Sequence, residues 1–334
     1  MRSIFIRAGP IGGIIGGRLA RAGSDVTLVD IDREHVAAIR ENGLQVDVPD
    51  GAFNVRVPIL FPDEIKDRYD VAFIAVRSNY TPDALATAVP HLTANGLMVS
   101  LQNGINLPLL EEKVGPERTI GVAIRMGCMR PAPGRVSTAT RGHLYVGHTN
   151  GRTTPQLETV NALLNSVIPS EITDNILGVL WSKLTYTCLG YFGSLANAPL
   201  LETCSSPADR AVLAAFFAEV VAVGSAAGAR FIPLAEYNPT DFHPSNPPEQ
   251  RLAAINAMAR AWKTEDRKGP LRQLMRGVKT EVDYTLGHVV REGKRLSIPT
   301  PLCEKLLTMI HELETGRRKL DPRNYDELDA ARTA

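Results

Sequence analysis

The stretch SIFIRAGPIGGIIGGRLARAGSDVTLVD, residues 3–30, decides how the rest of the chain is read. It predicts a strand over Ser3–Ile6, a glycine-rich turn through Arg7-Ala8-Gly9-Pro10-Ile11-Gly12-Gly13, a helix to about Ala22 and a second strand ending on Asp30. This order opens a dinucleotide-binding unit, because backbone amides at a helix N-terminus close on a diphosphate only where side chains leave room. Asp30 follows Gly12 at the distance where a carboxylate would take the adenosine ribose hydroxyls, so NAD is the expected cofactor.

Arg7 replaces the first glycine of G-x-G-x-x-G, and the assignment therefore rests on context. The turn follows an apolar strand and opens a helix with small residues at Gly16, Gly17 and Ala20, with strand and acid at the right distance beyond. The competing reading is a glycine-rich packing turn. Arg7 itself reads either as a cation that reaches the phosphates or as a bulky substitution that strains the turn.

Composition narrows the class. The 334 residues suffice for two domains, and 37 basic against 36 acidic side chains give no electrostatic case for nucleic acid or an acidic membrane. Cys128, Cys188, Cys204 and Cys303 are widely separated, without metal spacing, and read as thiols of a reducing compartment. Arg7, Arg18 and Arg21 interrupt the apolar N-terminal run, which argues against a signal peptide. No apolar run approaches the roughly twenty residues of a membrane span, so a soluble cytoplasmic protein is expected.

Further along, Asp32 can cap a helix that Gly43 ends, and 44–57 alternates around Asp50-Gly51 as a hairpin or edge strands. Residues 70–76 form a buried parallel strand with Arg77-Ser78 just past its carboxyl end, where open parallel sheets bind ligands. Thr81 caps the next helix with Pro82 in its first turn. Residues 96–101 form another strand, which runs into Gln102-Asn103-Gly104 and places Asn103 at the sheet edge near the nicotinamide end of a cofactor. Residues 119–148 are β-rich, turning at Pro131-Ala-Pro-Gly134, and His143 and His148 read as ordinary histidines without metal partners. A helix over 156–167 and a strand over 170–173 close the first domain.

The reading is thus α/β: an N-terminal Rossmann-type doubly wound sheet over 1–174, then an all-helical domain over 175–316 that contains a proline-rich loop at 231–250. A polar tail over 317–334 is expected to pack loosely or fray. In the helical domain Lys183, Thr187 and Tyr191 recur at i, i+4 and i+8 and share a helix face. Glu281, Tyr284 and His288 are expected to share another, with Asp283 pointing elsewhere. A carboxylate that met Lys183 would hold its ammonium and help set its pKa, although each group alone also reads as an ordinary helix-surface charge.

Taken together, Ala8-Gly9-Pro10-Ile11-Gly12-Gly13, Asn103-Gly104, Leu180-Trp-Ser-Lys-Leu184, Thr280-Glu-Val-Asp-Tyr284 and Ile298-Pro-Thr-Pro301 resemble the ketopantoate reductase family, the 2-dehydropantoate 2-reductases, over most of the chain. The resemblance implies a nicotinamide cofactor on the Rossmann domain, a helical domain covering it, and a 2-oxo acid reduced in the cleft. It places the general acid on Lys183, with Glu281 and Asn103 completing the catalytic set. The reading of the turn and of the sheet edge places the cofactor on Arg7, Ala8, Gly9, Pro10, Ile11, Gly12, Asp30, Arg77 and Asn103, and no metal is expected. A homodimer is possible, as in many relatives.

Three departures bear on the substrate. The family's ketopantoate enzymes typically carry asparagines at the positions of Thr187 and Tyr191 and commonly a serine at that of Gly269, so substrate contacts assigned to these three differ. Asp30 departs from relatives that prefer NADP, with Arg33 a partial compensation, and Arg77 stands where a lysine is frequent. The leading expectation is reduction of ketopantoate to pantoate with NAD or NADP, NAD being favoured by Asp30. The alternatives are an NAD-dependent D-2-hydroxyacid dehydrogenase of the same family and a non-catalytic cofactor sensor. An opine-type dehydrogenase would need a different catalytic base, and the chain offers no His-Asp pair at a suitable spacing.

Overall fold

The computed structural model describes residues 1–234, 237–262 and 269–333, and the chain divides into two units, Met1–Ile176 and Leu177–Ala334. The first unit grows from two short apolar strands, β1 (Ser3–Ile6) and β2 (Val26–Val29), in which every residue is buried. Such runs suit parallel strands covered on both faces. Around them a twisted sheet assembles from β5 (Ile59–Leu60), β6 (Tyr69–Ile74), β7 (Leu92–Ser100), β8 (Thr119–Ile124), β11 (Leu144–Gly147) and β12 (Ser170–Ile172). Its order is β12-β11-β8-β7-β6-β1-β2-β5, parallel except where β11 meets β8. β1 lies between β2 and β6, and the order runs outward on both sides of it. The carboxyl ends of β1 and β6 therefore flank the switch point at which parallel α/β sheets bind ligands.

A second sheet was not foreseen. The hairpin expected over 44–57 is present as β3 (Leu44–Asp47) and β4 (Phe53–Val55), yet it does not stand alone. β3 pairs in parallel with β10 (Arg135–Thr138), itself antiparallel to β9 (Cys128–Ala132), which gives the order β4-β3-β10-β9. The helix α1 (Pro10–Arg21) lies between the two sheets, and its paired glycines let both approach. A Cβ on Gly16 would come within 2.7 Å of Leu28 in the first sheet, and one on Gly13 within 3.0 Å of Val136 in the second. The sequence GGIIGG is thus the imprint of a helix packed on two faces.

The remaining helices of this unit are α2 (Arg33–Asn42), α3 (Thr81–Ala88), α4 (Leu107–Val114) and α5 (Pro155–Asn165). Asp32 caps α2 through the His35 amide, and Gly43 ends it at φ 80°. The cap expected at Thr81 is corrected: Ser78–Tyr80 form a 3-10 turn that runs straight into α3, so Thr81 is already helical and its hydroxyl donates to the Ser78 carbonyl.

The described part of the second unit is helical: α6 (Ile176–Phe192, starting at the end of the first unit), α7 (Leu200–Thr203), α8 (Pro207–Ala226), α9 (Pro248–Ala259), α10 (Gly269–Met275), α11 (Leu286–Leu296), α12 (Pro301–Glu314) and α13 (Arg323–Thr333). Phe192, Phe216, Phe217, Tyr237 and Phe242 form an aromatic core against α8. Glu219 of α8 accepts the Leu302 and Cys303 amides at 2.9 Å and so caps α12 from outside.

The tail expected to fray does not. Tyr325 and Leu328, three residues apart on α13, are buried, and the Tyr325 hydroxyl donates to the Phe192 carbonyl at 2.9 Å. Asn324 donates to the Leu195 carbonyl at 2.8 Å, so carbonyls at and just past the end of α6 gain donors from α13.

Candidate functional site

In the first unit the turn after β1 is bound tightly to the end of β2. Asp30 is 1% exposed, and its carboxylate accepts the Ala8 and Asp32 amides, each at 3.0 Å. Arg7 Nε lies 3.5 Å from the same carboxylate. Asp30, expected from the sequence to accept the ribose hydroxyls, is thus buried with both carboxylate oxygens bonded to backbone amides and the Arg7 guanidinium beside it. Arg7 also holds φ 94°, a conformation that favours glycine, so both readings of its guanidinium and its strain meet at one residue.

Gly12 has no alternative here. A Cβ at that position would lie 2.1 Å from the Arg7 carbonyl oxygen and 3.0 Å from the Ala75 side chain. Gly9 is the N-cap of α1, and Pro10 has no amide to satisfy. Among the described residues the Gly9 amide has no hydrogen-bond partner, and the Ile11 and Gly12 amides belong to a first helical turn that leaves donors open. Unspent amides at a helix N-terminus, beside a turn too tight for side chains, fit a dinucleotide diphosphate.

Sequence reasoning passed over His35, which holds this turn from behind. The imidazole is fully buried, with Nε2 2.9 Å from the Ala8 carbonyl and Nδ1 accepting the Gly134 amide at 2.9 Å. Because Gly134 can only donate, Nδ1 carries no proton and Nε2 is the donor to Ala8. Burial holds the pKa of the ring below its ordinary value, which keeps it neutral. A signal was present: His35 shares the buried side of α2 with Ile39, four residues on, where an apolar residue would be the default.

At the carboxyl edge of the same sheet, Arg77 is exposed just beyond β6 and Asn103 is exposed just beyond β7. The backbone at Asn103 is fixed, its carbonyl accepting the Ser78 hydroxyl at 3.0 Å and the Asn106 amide group at 2.8 Å. The side chain is thereby presented by a rigid loop.

In the second unit α6 carries Lys183 half-buried. Thr187 spends its hydroxyl on the Lys183 carbonyl at 2.9 Å, within its own helix. Tyr191, expected as a substrate contact, is only 2% exposed. Its phenol packs beside Thr285, Thr280 and Glu281, and burial raises its pKa. Thr280 in turn donates through its amide and hydroxyl to Glu314 at 2.7 and 2.6 Å. Tyr191 therefore joins the Lys183 helix to the segment that bears Glu281.

That segment is not the helix face expected from spacing. Glu281 precedes a 3-10 turn, Val282–Tyr284, and α11 starts only after Thr285, whose ψ of −88° breaks the run. His288 packs on Trp181 with centroids 5.4 Å apart, and burial lowers its pKa to about 4. Asp283 accepts from His311 at 2.8 Å. Gly269 opens α10, and among the described residues none lies within 4 Å of its Cβ direction.

His148 hydrogen-bonds to the Thr119 carbonyl at 2.8 Å and the Thr154 hydroxyl at 3.1 Å, and His143 lies 3.1 Å from Glu171. Among the described residues no group of three or more His, Cys, Asp or Glu could hold a metal ion, and no helix is long and apolar enough to cross a membrane. The four cysteines form no disulfide with one another, and burial raises the pKa of Cys204 to about 12.

Comparison with known proteins agrees with both halves of this description. The family profile described as ketopantoate reductase PanE/ApbA matches residues 6–151, and that of the ketopantoate reductase PanE/ApbA C terminal matches residues 175–314. The 2-dehydropantoate 2-reductase of Pyrococcus abyssi is 29% identical over 307 residues, which cover 90% of this chain and 94% of that protein. Among solved structures, a PanE/ApbA family ketopantoate reductase from Ralstonia eutropha JMP134 is similar with a TM-score of 0.81 at 25% identity, covering 95% of this chain and 99% of that one. A D-mandelate dehydrogenase solved with NADH and anilino(oxo)acetate shares the fold with a TM-score of 0.80 at 19% identity, over 95% of this chain and 99% of that one. The two profiles between them take in both units, and the chain belongs to the ketopantoate reductase family of NAD(P)-dependent oxidoreductases.

Proposed function

We propose that the protein reduces a 2-oxo acid to a 2-hydroxy acid and that ketopantoate, giving pantoate, is its first candidate substrate. The support is that the two profiles between them take in the Ala8–Gly12 turn, Asn103, Lys183 and Glu281. The bound nicotinamide supplies the hydride. Lys183 Nζ gives a proton to the carbonyl oxygen as negative charge builds there, and takes one back in the reverse direction. Glu281 holds the ammonium, and Asn103 orients the reacting groups from its fixed loop. Gly9, Ile11 and Gly12 offer amides to the diphosphate, with Ala8 and Pro10 shaping the turn, while Arg7 and Arg77 add positive charge.

NAD is the proposed cofactor, because an acidic residue, Asp30, follows β2 where the adenosine ribose would bind, and its carboxylate reaches that ribose only once Arg7 and the backbone amides that hold it give way. Asp30→Ala should weaken NADH more than NADPH in a fluorescence titration, and an unchanged ratio removes the basis for choosing NAD.

The second reading is a D-2-hydroxyacid dehydrogenase acting on a different acid. Buried Tyr191 favours it, since a phenol turned inward offers the substrate none of the hydrogen bonds that asparagine would. Cofactor oxidation followed by absorbance, with NADH and NADPH against ketopantoate and a panel of aliphatic and aromatic 2-oxo acids, separates the two. Efficient turnover of ketopantoate supports a place in pantothenate synthesis, and preference for another acid moves the protein to the second reading.

A further inference from the structure

We propose that His35 is a positioning residue that aims the Gly9 amide at the cofactor diphosphate, an inference that rests on the nucleotide-site reading of this turn. The Ala8 carbonyl and the Gly9 N–H belong to one peptide unit, which is planar and trans, so they point in opposite directions. The carbonyl is drawn onto His35 Nε2 at 2.9 Å, on the buried side of the turn. The Gly9 N–H must then face the other way. Among the described residues no other hydrogen bond fixes that plane: the Asp30 bond is to the Ala8 amide, which belongs to the preceding peptide unit.

The clamp is also anchored at its far side. His35 Nδ1 accepts the Gly134 amide from the turn between β9 and β10, so the second sheet holds the imidazole and the imidazole holds the cofactor turn. A further strut between the same elements is the Arg130–Asp32 ion pair at 2.8 Å. The two ring nitrogens do different work, one on the cofactor side and one on the sheet side, and this division makes the proposal testable. In glutamine the side-chain amide nitrogen sits at the bond distance of Nε2, so His35→Gln keeps a donor for Ala8 and gives up Gly134. In asparagine the carbonyl oxygen sits at the bond distance of Nδ1, so His35→Asn keeps the acceptor for Gly134 and gives up Ala8.

The experiment measures the dissociation constant of NADH, or of NADPH if the wild type prefers it, together with the melting temperature of wild type and both variants. Each variant loses one of two buried hydrogen bonds, so the melting temperatures should fall by similar amounts. Binding should not follow them. His35→Asn should weaken the cofactor about tenfold, the equivalent of one hydrogen bond, and His35→Gln should stay within about threefold of wild type. Equal weakening in the two variants, or none in His35→Asn, overturns the proposal while leaving the nucleotide site in place. Absence of binding to the wild type removes the nucleotide reading and the proposal with it. If neither variant folds, the imidazole 15N resonances of the wild type decide: a neutral ring protonated at Nε2 whose Nε2 signal shifts on cofactor addition supports the clamp. A ring protonated at Nδ1, or an Nε2 signal indifferent to cofactor, overturns it.

Discussion

Arg7 adopts φ 94° because the turn geometry was built for glycine, and a bulky residue there costs on the order of 1–3 kcal/mol. Relief of that strain outweighs the extra unfolded-state freedom of glycine, about 0.5–1 kcal/mol. Arg7→Gly should therefore raise the melting temperature by a few degrees while weakening NADH, since the guanidinium beside Asp30 is lost; an improvement in both would mark Arg7 as an obstruction to the cofactor. Lys183→Ala should lower kcat by at least about 100-fold while cofactor affinity stays within a few-fold, and surviving turnover would remove Lys183 from the reaction. At this scale the sequence told which residue types stood at the turn and on the lysine helix, and it told less about how they are used. Tyr191 was expected to line a substrate pocket, but helical spacing gives a direction around one axis and cannot say what fills the space beyond. The hydroxyls of Thr280 and Thr285 fill it. His35 escaped notice because its two partners are backbone groups, which leave no trace in residue identity.

Among the elements, those with a strong period or a capping residue were legible: β1, β2, the Asp32-capped α2 and the GGIIGG helix all lie where the pattern placed them. The second sheet was not, since β3 and β10 pair in parallel with β4–β9, α3 and α4 between them in sequence, and strand pairing at that separation has no local signature. Glu281 and His288 were read onto one helix because the chain there keeps a helical polarity pattern, although the backbone turns at Thr285. The polar look of residues 317–334 misled for a related reason. A helix that buries only a narrow stripe, Tyr325 and Leu328, is polar almost everywhere else. Because Asn324 donates to the Leu195 carbonyl just past α6 and to the Lys319 carbonyl, Asn324→Ala should destabilise the second unit by about 1–3 kcal/mol, read as a lower urea midpoint. A midpoint equal to that of wild type would show that α13 packs without holding the lysine helix.

Over the whole molecule, acid sensitivity follows from histidines kept neutral. His288 has its pKa lowered to about 4 by burial, and His35 is lowered for the same cause. Each takes up its proton in the unfolded chain near the ordinary value of about 6.5, before it does so when folded. Between about 4 and 6.5 the unfolded state thus binds more protons, and stability rises with pH across that window. Glu219 works in the opposite sense, since burial raises its pKa and its protonated form is favoured in the fold. Asp321 and Glu327, lowered to about 2 by their arginine partners, lose their contribution only in stronger acid. Urea unfolding at pH 5 and pH 7 should give a smaller difference for His288→Gln than for wild type, and an unchanged difference would remove His288 as a source of the slope. The His35–Gly134 bond, which spans 99 residues, has a consequence for the order of events during synthesis. The glycine turn leaves the ribosome well before Gly134, and until Gly134 has followed, His35 Nδ1 lacks the partner that anchors the ring. A nascent chain shorter than this carries every residue of the nucleotide turn and still lacks the brace that shapes it, so the competence to hold cofactor arrives late, with the second sheet.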